Sequence, residues 1–155
     1  DGQNGMKIID SSYNAHLISV KSILEMFKSM KVDHKWLVIG DIVDQGSIEG
    51  QEHAKLADEI VKVKPEKVIL IGRRTKKYTA PLLKKAKIDT YTTTDPREAL
   101  KYLEKHLIGS ETILFKGSQY LEWIIEKLLK NPDDVKKLPR REKAAIKRRQ
   151  KRGLY

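Results

Sequence analysis

The sequence predicts an α/β fold: a Rossmann-like three-layer sandwich, with a mostly parallel sheet of five or six strands and helices on both faces. Three observations carry this. Apolar runs alternate with helix-period patterns five times along the chain. Three of the runs (residues 36–40, 67–72 and 112–115) are short and continuously apolar, as strands buried on both faces are. Strict alternation of strand and helix requires crossover connections, so the strands lie parallel and the helices cover them.

The elements follow in order. Strands are expected at residues 7–10, 36–40, 67–72, 88–91 and 112–115. Between the first two, Leu17, Val20, Leu24 and Phe27 form a helical stripe joined by Ile23 and Met30. Ala54, Ala57, Ile60 and Val61 form the next, which Pro65 ends. A weaker helix is expected over 80–86. Asp95-Pro96-Arg97-Glu98 places a capping Asp before Pro at the first helical position, with Glu three residues after the cap. Ala99, Leu100, Leu103 and Leu107 supply that helix's buried face, and Gly109 follows its end. Leu121, Ile124, Ile125, Leu128 and Leu129 mark the clearest amphipathic helix, closed by Pro132.

Three segments are expected: a polar, Gly-rich linker over 1–6, a domain over 7–131, and a basic, partly helical tail over 132–155. The net charge of +11 is uneven. The tail holds 10 Lys/Arg against 3 Asp/Glu, the body 22 against 18. A tail of this charge suits an anionic partner or a solvated extension. It lacks interleaved aromatic residues for base stacking. The absence of cysteine excludes disulfides, thiolate metal sites and cysteine nucleophiles, and fits the cytoplasm. No apolar run reaches membrane-spanning length.

Chemistry concentrates at the expected carboxyl ends of three strands, where α/β folds bind ligands. The first end carries Asp10, Ser11, Ser12, Tyr13, Asn14 and His16. The second carries Gly40, Asp41, Asp44 and Gly46, with His53 beyond. The last carries Lys116, Gly117 and Ser118. Lys116 leaving a central strand is placed to meet a phosphate or carboxylate. Gly117 permits close backbone approach. Ser118 either caps the next helix or holds an anion with that helix's N–H groups. Asp41 either caps a turn or orients a polar group, and His53 reads as a hydrogen-bonded core residue. The chain has neither GxGxxG nor GxxxxGK[ST], so no complete nucleotide phosphate cradle is present. A receiver-type phosphorelay domain is disfavoured, because Ser11 follows Asp10 and the third strand ends in Gly72-Arg73.

Taken in order, these motifs resemble the C-terminal domain of the Mur ligases, most of all the members that add D-alanyl-D-alanine. The family pattern D-D-x-Y-N-A-N-P is similar to Asp10-Ser11-Ser12-Tyr13-Asn14-Ala15-His16-Leu17. The pattern G-D-M-x-E-L-G is similar to Gly40-Asp41-Ile42-Val43-Asp44-Gln45-Gly46, and a family His falls on His53. The pattern K-G-S-R is similar to Lys116-Gly117-Ser118-Gln119. The resemblance covers about residues 5–131. Ser11, His16-Leu17 and Gln119 depart from it.

The resemblance implies the third domain of an ATP-dependent enzyme. Such an enzyme forms an amide bond between D-alanyl-D-alanine and a UDP-N-acetylmuramoyl peptide through an acyl phosphate, in peptidoglycan synthesis. ATP and magnesium are expected in the full-length enzyme, with neither held tightly by this chain. The N-terminal and central domains are the implied partners, and a monomer is expected. By position, Asp10, Asp41 and Lys116 take catalytic roles. Tyr13, Lys116, Gly117 and Ser118 contact substrate, and Asn14 and His16 approach the nucleotide. The chain alone is expected to be inactive. The other reading is a non-enzymatic Rossmann-like module that binds nucleic acid through its tail.

Overall fold

A computed structural model of the chain describes residues 1–13 and 16–155. It contains β1 (Lys7–Ser11), α1 (Leu17–Ser29), β2 (Lys35–Gly40), α2 (Glu49–Val63), β3 (Lys67–Ile71), α3 (Ala80–Lys85), β4 (Thr90–Thr93), α4 (Pro96–His106), β5 (Thr112–Lys116), α5 (Leu121–Leu128) and α6 (Lys143–Gln150). The five strands form one sheet in the order β1-β5-β2-β3-β4. All four pairings are parallel.

Burial explains the layers. Side chains alternate across a pleated strand, so each apolar run feeds two cores. Leu37, Ile39, Val68, Leu70 and Leu114 meet Val20, Leu24 and Phe27 of α1 and Leu56 and Ile60 of α2. Trp36, Val38, Ile69, Ile71, Ile113 and Phe115 meet α4 and α5. Each fully buried Leu or Phe contributes about 1.5–3 kcal/mol of transfer free energy.

The connections step outward from β1 to β4 with α1, α2 and α3 on one face. The chain then turns back through α4 on the other face and inserts β5 between β1 and β2. A right-handed crossover run in the reverse direction must place its helix on the opposite face. The carboxyl ends of β1, β5 and β2 therefore lie side by side at the reversal, where α/β sheets hold ligands.

Two local readings differ from the sequence expectation. The fourth strand is displaced by two residues, to Thr90–Thr93. The Ile88 N–H instead closes the end of α3 by donating to the Leu83 carbonyl at 3.0 Å, and the β-branched threonines pair with β3. At α4, Asp95 does cap the helix, accepting from the Arg97 N–H at 2.9 Å. Glu98 does not reach back to the Asp95 N–H. It accepts from Thr93 Oγ1 at 2.7 Å, while Thr93 Oγ1 itself accepts from the Asp95 N–H at 3.1 Å.

Both ends of the chain are fastened to the α5 side. Gly2 bridges Leu129, and Met6 is buried in the α4/α5 core. In the tail, Ala145, Arg149 and Leu154 are buried, and the Tyr155 carbonyl accepts from Trp123 Nε1 at 3.0 Å.

At the opposite, amino edge of the sheet, His34 pairs with Glu66 at 2.6 Å. The hydrogen bond to Glu66 and its charge raise the imidazole above its ordinary value. A raised histidine stabilises the fold fully below its unfolded pKa of about 6.5. That contribution disappears as pH rises through the raised value. Glu66→Gln is expected to return the His34 titration midpoint, read by NMR, toward the ordinary value. An unmoved midpoint contradicts the pairing.

Candidate functional site

The site is built where three backbone segments meet. The loop after β2 and the loop after β5 touch without intervening side chains: a Cβ on Gly40 would overlap the Ser118 carbonyl oxygen. Gly117, at φ +112°, lies against the Gly40 backbone from the other side. Only glycine permits this approach. Ser118 then stitches the loops together. Its Oγ donates to the Asp41 carbonyl at 2.7 Å and its N–H to the same oxygen at 3.3 Å. Ser118 is thus not the cap of α5. That position is Tyr120, which caps with no side-chain bond.

The segment after Gly117 is strained. Gln119 and Tyr120 both adopt left-handed backbone conformations, at φ +79° and +60°. Two such non-glycine residues in succession are costly, and strain of this kind collects at functional sites. Nothing in the residue types of Gln119 or Tyr120 signals it.

Lys116 ends β5 and is only 2% exposed. Its Nζ donates to the Tyr13 carbonyl at 2.7 Å and lies 3.4 Å from Ser11 Oγ. It also sits 5.6 Å from the centre of the Tyr13 ring. Both hydrogen-bond partners are neutral oxygens, and no carboxylate pairs with it among the described residues. Burial, reinforced by the positive charge of Arg140, pushes the ammonium below the ordinary lysine range. Where the family pattern has a second acid, the neutral Ser11 leaves this cation uncompensated.

Asp10 and Asp41 are engaged differently from Lys116. Asp10 Oδ1 accepts from Ser12 Oγ at 2.6 Å and from the Ser12 N–H at 3.1 Å, a local Asx turn. Its Oδ2 accepts from Arg141 Nη1 of the tail at 3.2 Å. Asp41 is 1% exposed and faces the loop after β3. Its Oδ1 accepts from the Thr75 N–H at 2.8 Å and Thr75 Oγ1 at 3.0 Å, and its Oδ2 from the Arg74 N–H at 3.1 Å. The carboxylate thereby satisfies free N–H groups at the start of the π-helical turn Thr75–Thr79 that leads into α3. Arg74 bridges Asp41 to Glu49, with Nε donating to Glu49 at 2.6 Å.

His53 is fully buried, as its position on the apolar side of the helix suggests. Its Nε2 accepts from the Ile42 N–H at 3.1 Å. Nδ1 must then carry the proton, which it donates to the Glu49 carbonyl at 2.7 Å. The imidazole holds the loop after β2 in place.

Tyr13 is 41% exposed beside Lys116. His16 is exposed and takes the N-cap position of α1 without a side-chain capping bond. Asn14, expected to approach the nucleotide, lies outside the described residues. The edge thus brings together Asp10, Tyr13, Lys116, Gly117 and Ser118, with the Asp41 backbone between β2 and β5. Sequence reasoning missed Arg140 and Arg141, which reach this edge from the tail. The Arg140 guanidinium lies 3.5 Å from the Ser12 carbonyl. Tail charge alone gives no sign of which arginines return to the sheet.

Comparison with known proteins agrees with this architecture. A family model described as Mur ligase, glutamate ligase domain, matches residues 1–119. The UDP-N-acetylmuramoyl-tripeptide–D-alanyl-D-alanine ligase of Bacillus subtilis (strain 168) is 27% identical over 135 residues, covering 83% of this chain and 29% of that protein. The ligase of the same name from Rickettsia prowazekii (strain Madrid E) is 32% identical over 113 residues, covering 73% of this chain and 25% of that protein. The chain therefore spans less than a third of the length of these curated relatives. Among solved structures, the MurF ligase of Thermotoga maritima in complex with ADP superposes with a TM-score of 0.64 at 21% identity, covering 88% of this chain and 30% of that one. A MurF structure from Acinetobacter baumannii also gives 0.64, at 23% identity, covering 82% and 29%. Both share the α/β fold. With most of its length under the family model, and with the family's three strand-end motifs meeting at one sheet edge, the chain belongs to the Mur ligase family.

Proposed function

We propose that this chain is the C-terminal domain of a cytoplasmic ATP-dependent ligase that joins D-alanyl-D-alanine to a UDP-N-acetylmuramoyl peptide in peptidoglycan synthesis. The observation that carries the reading is Lys116, a buried and uncompensated ammonium at the carboxyl edge of the sheet, inside the family-matched residues. Both curated relatives bear the name of this activity.

In this reading the N-terminal and central domains hold the peptide substrate and the phosphates of ATP. ATP activates the peptide carboxylate as an acyl phosphate, which the incoming amine attacks. This domain closes over that centre as a monomer. Lys116 presents positive charge to the phosphate or carboxylate that arrives, where a dry site makes such charge most effective. Tyr13 offers an exposed ring and the Gly117–Ser118 backbone a close approach for the dipeptide. By their positions in the motif, Asn14 and His16 are assigned to contact the nucleotide. Asp41 and His53 act as positioning residues, holding the loops after β2 and β3. Asp10 fixes the turn that carries Ser12 and Tyr13. Among the described residues no three acidic or imidazole side chains converge into a group that could hold a metal ion. No described helix is long and apolar enough to cross a membrane.

The test is ligation by the polypeptide that carries this domain together with its N-terminal and central domains. ADP release is expected to require both the UDP-N-acetylmuramoyl peptide and D-alanyl-D-alanine, with the new amide seen by mass spectrometry. ADP release driven equally by single amino acids would overturn the dipeptide assignment. No amide product with any amine would overturn the ligase reading.

A further inference from the structure

The tail does more than cover α5. It forms one wall of an open cavity of about 660 Å³ at the sheet's carboxyl edge, lined on the sheet side by Arg97 and by Ser118, Gln119 and Tyr120 of the strained loop. The tail side contributes Arg140, Arg148 and Arg152. All three of these residues are exposed, and none has a carboxylate partner among the described residues. Arg140 donates to the Ser12 carbonyl, and the Arg152 backbone carbonyl accepts from Arg97. The cavity's acids do not balance them. Asp95 is already paired with Arg97 at 3.0 Å, which leaves the Glu122 carboxylate against three guanidiniums.

The arginines are held there by a rigid frame. Arg141 and Arg149, which directly follow Arg140 and Arg148 in sequence, are both largely buried and pinned to Glu126 at 2.9 and 2.6 Å. Leu154 inserts into the α4/α5 core. Anchors next to each of them fix the backbone from which Arg140, Arg148 and Arg152 project, so a ligand that draws them together need not order the backbone as well. Guanidinium groups suit bidentate binding of phosphate and carboxylate oxygens. The field of Arg140 also reaches Lys116, helping to depress its ammonium.

We propose that this cavity is a binding site for a small molecule carrying at least two negative charges, a phosphate ester or a dicarboxylate, recognised by Arg140, Arg148 and Arg152. These residues lie beyond the family-matched segment. The inference stands on the cavity alone and holds whether or not the chain serves a ligase.

The test is calorimetric titration of the 155-residue chain with pyrophosphate and, separately, with succinate, at fixed ionic strength. Saturable 1:1 binding of one or both is expected. The tighter of the two identifies the phosphate or the carboxylate source. Arg148→Ala and Arg152→Ala are each expected to weaken binding about tenfold, the scale of a charge-assisted contact. Lys143→Ala and Lys147→Ala remove the same charge from positions on α6 outside the cavity, and are expected to change it less than about twofold. Absence of saturable binding by either anion overturns the site. Equal losses in the arginine and lysine variants also overturn it, because they would mean diffuse attraction to the tail.

Discussion

Lys116→Met is expected to lower ligation by the proposed three-domain ligase about 10²–10³-fold, the scale of losing one preorganised charge-stabilising donor. The domain should nonetheless stay folded, with a thermal midpoint equal to or above that of the parent. The two effects have one cause. Among the described residues Lys116 is buried with neutral oxygens as its hydrogen-bond partners, so its charge costs stability in the unliganded domain and becomes useful when an anion arrives. The pH dependence carries the same signature. Burial lowers the folded-state value, so the unfolded chain binds more protons in the window up to the ordinary lysine value of about 10.4. The charge penalty is present below the folded value and relieved as pH rises through that window. Lys116→Met should flatten this alkaline gain. Unchanged ligation in the variant, or a collapse of its fold, would contradict the role given to Lys116.

Glu126→Ala is expected to release the tail. Glu126 receives Arg141 Nε at 2.9 Å and both terminal nitrogens of Arg149 at 2.8 and 2.6 Å. All three side chains are largely buried. Removing the carboxylate strands the Arg149 guanidinium and leaves Arg141 with Asp10 as its remaining carboxylate, at a cost of about 3–5 kcal/mol for breaking one partner of a buried ion pair. The tail then opens roughly 10²- to 4 × 10³-fold more often. Trypsin cleavage within residues 140–152 reads this directly, since cleavage tracks the open population. Because Asp10 also binds Arg141, the Ser12–Tyr13 turn loses an anchor in the same variant. A tail as resistant to trypsin as that of the parent would contradict the clamp.

These two variants also separate what was legible in the sequence from what was not. The sheet was legible because apolar continuity and helix period report burial directly. Trp36–Ile39 and Thr112–Phe115 are buried on both faces, as their composition implies. Lys116 was legible for the same reason: a lysine ending a buried parallel strand has few places to go but the carboxyl edge. The bonding of Asp41 was not legible, since choosing between a turn, a substrate and the distant Thr75 requires the loop after β3. The tail was the least legible. Arg140, Arg141 and Arg149 carry the same charge in sequence, yet one faces a cavity and two are buried on Glu126. Only the partner, more than ten residues away along the chain, distinguishes them. The left-handed pair Gln119-Tyr120 left no trace, because neither residue type favours that conformation.

The central claim is that the joined carboxyl ends of β1, β5 and β2 are where this domain meets the incoming dipeptide. Titrating the ¹⁵N-labelled chain with millimolar D-alanyl-D-alanine and following amide shifts tests it most directly. The account predicts that the largest shifts fall on Ser12, Tyr13, Ile42 and Lys116 to Tyr120, and that Lys116→Met suppresses them. Shifts clustered instead at the amino edge, around His34, Glu66 and Glu111, or shifts at the carboxyl edge that persist undiminished in Lys116→Met, would contradict it.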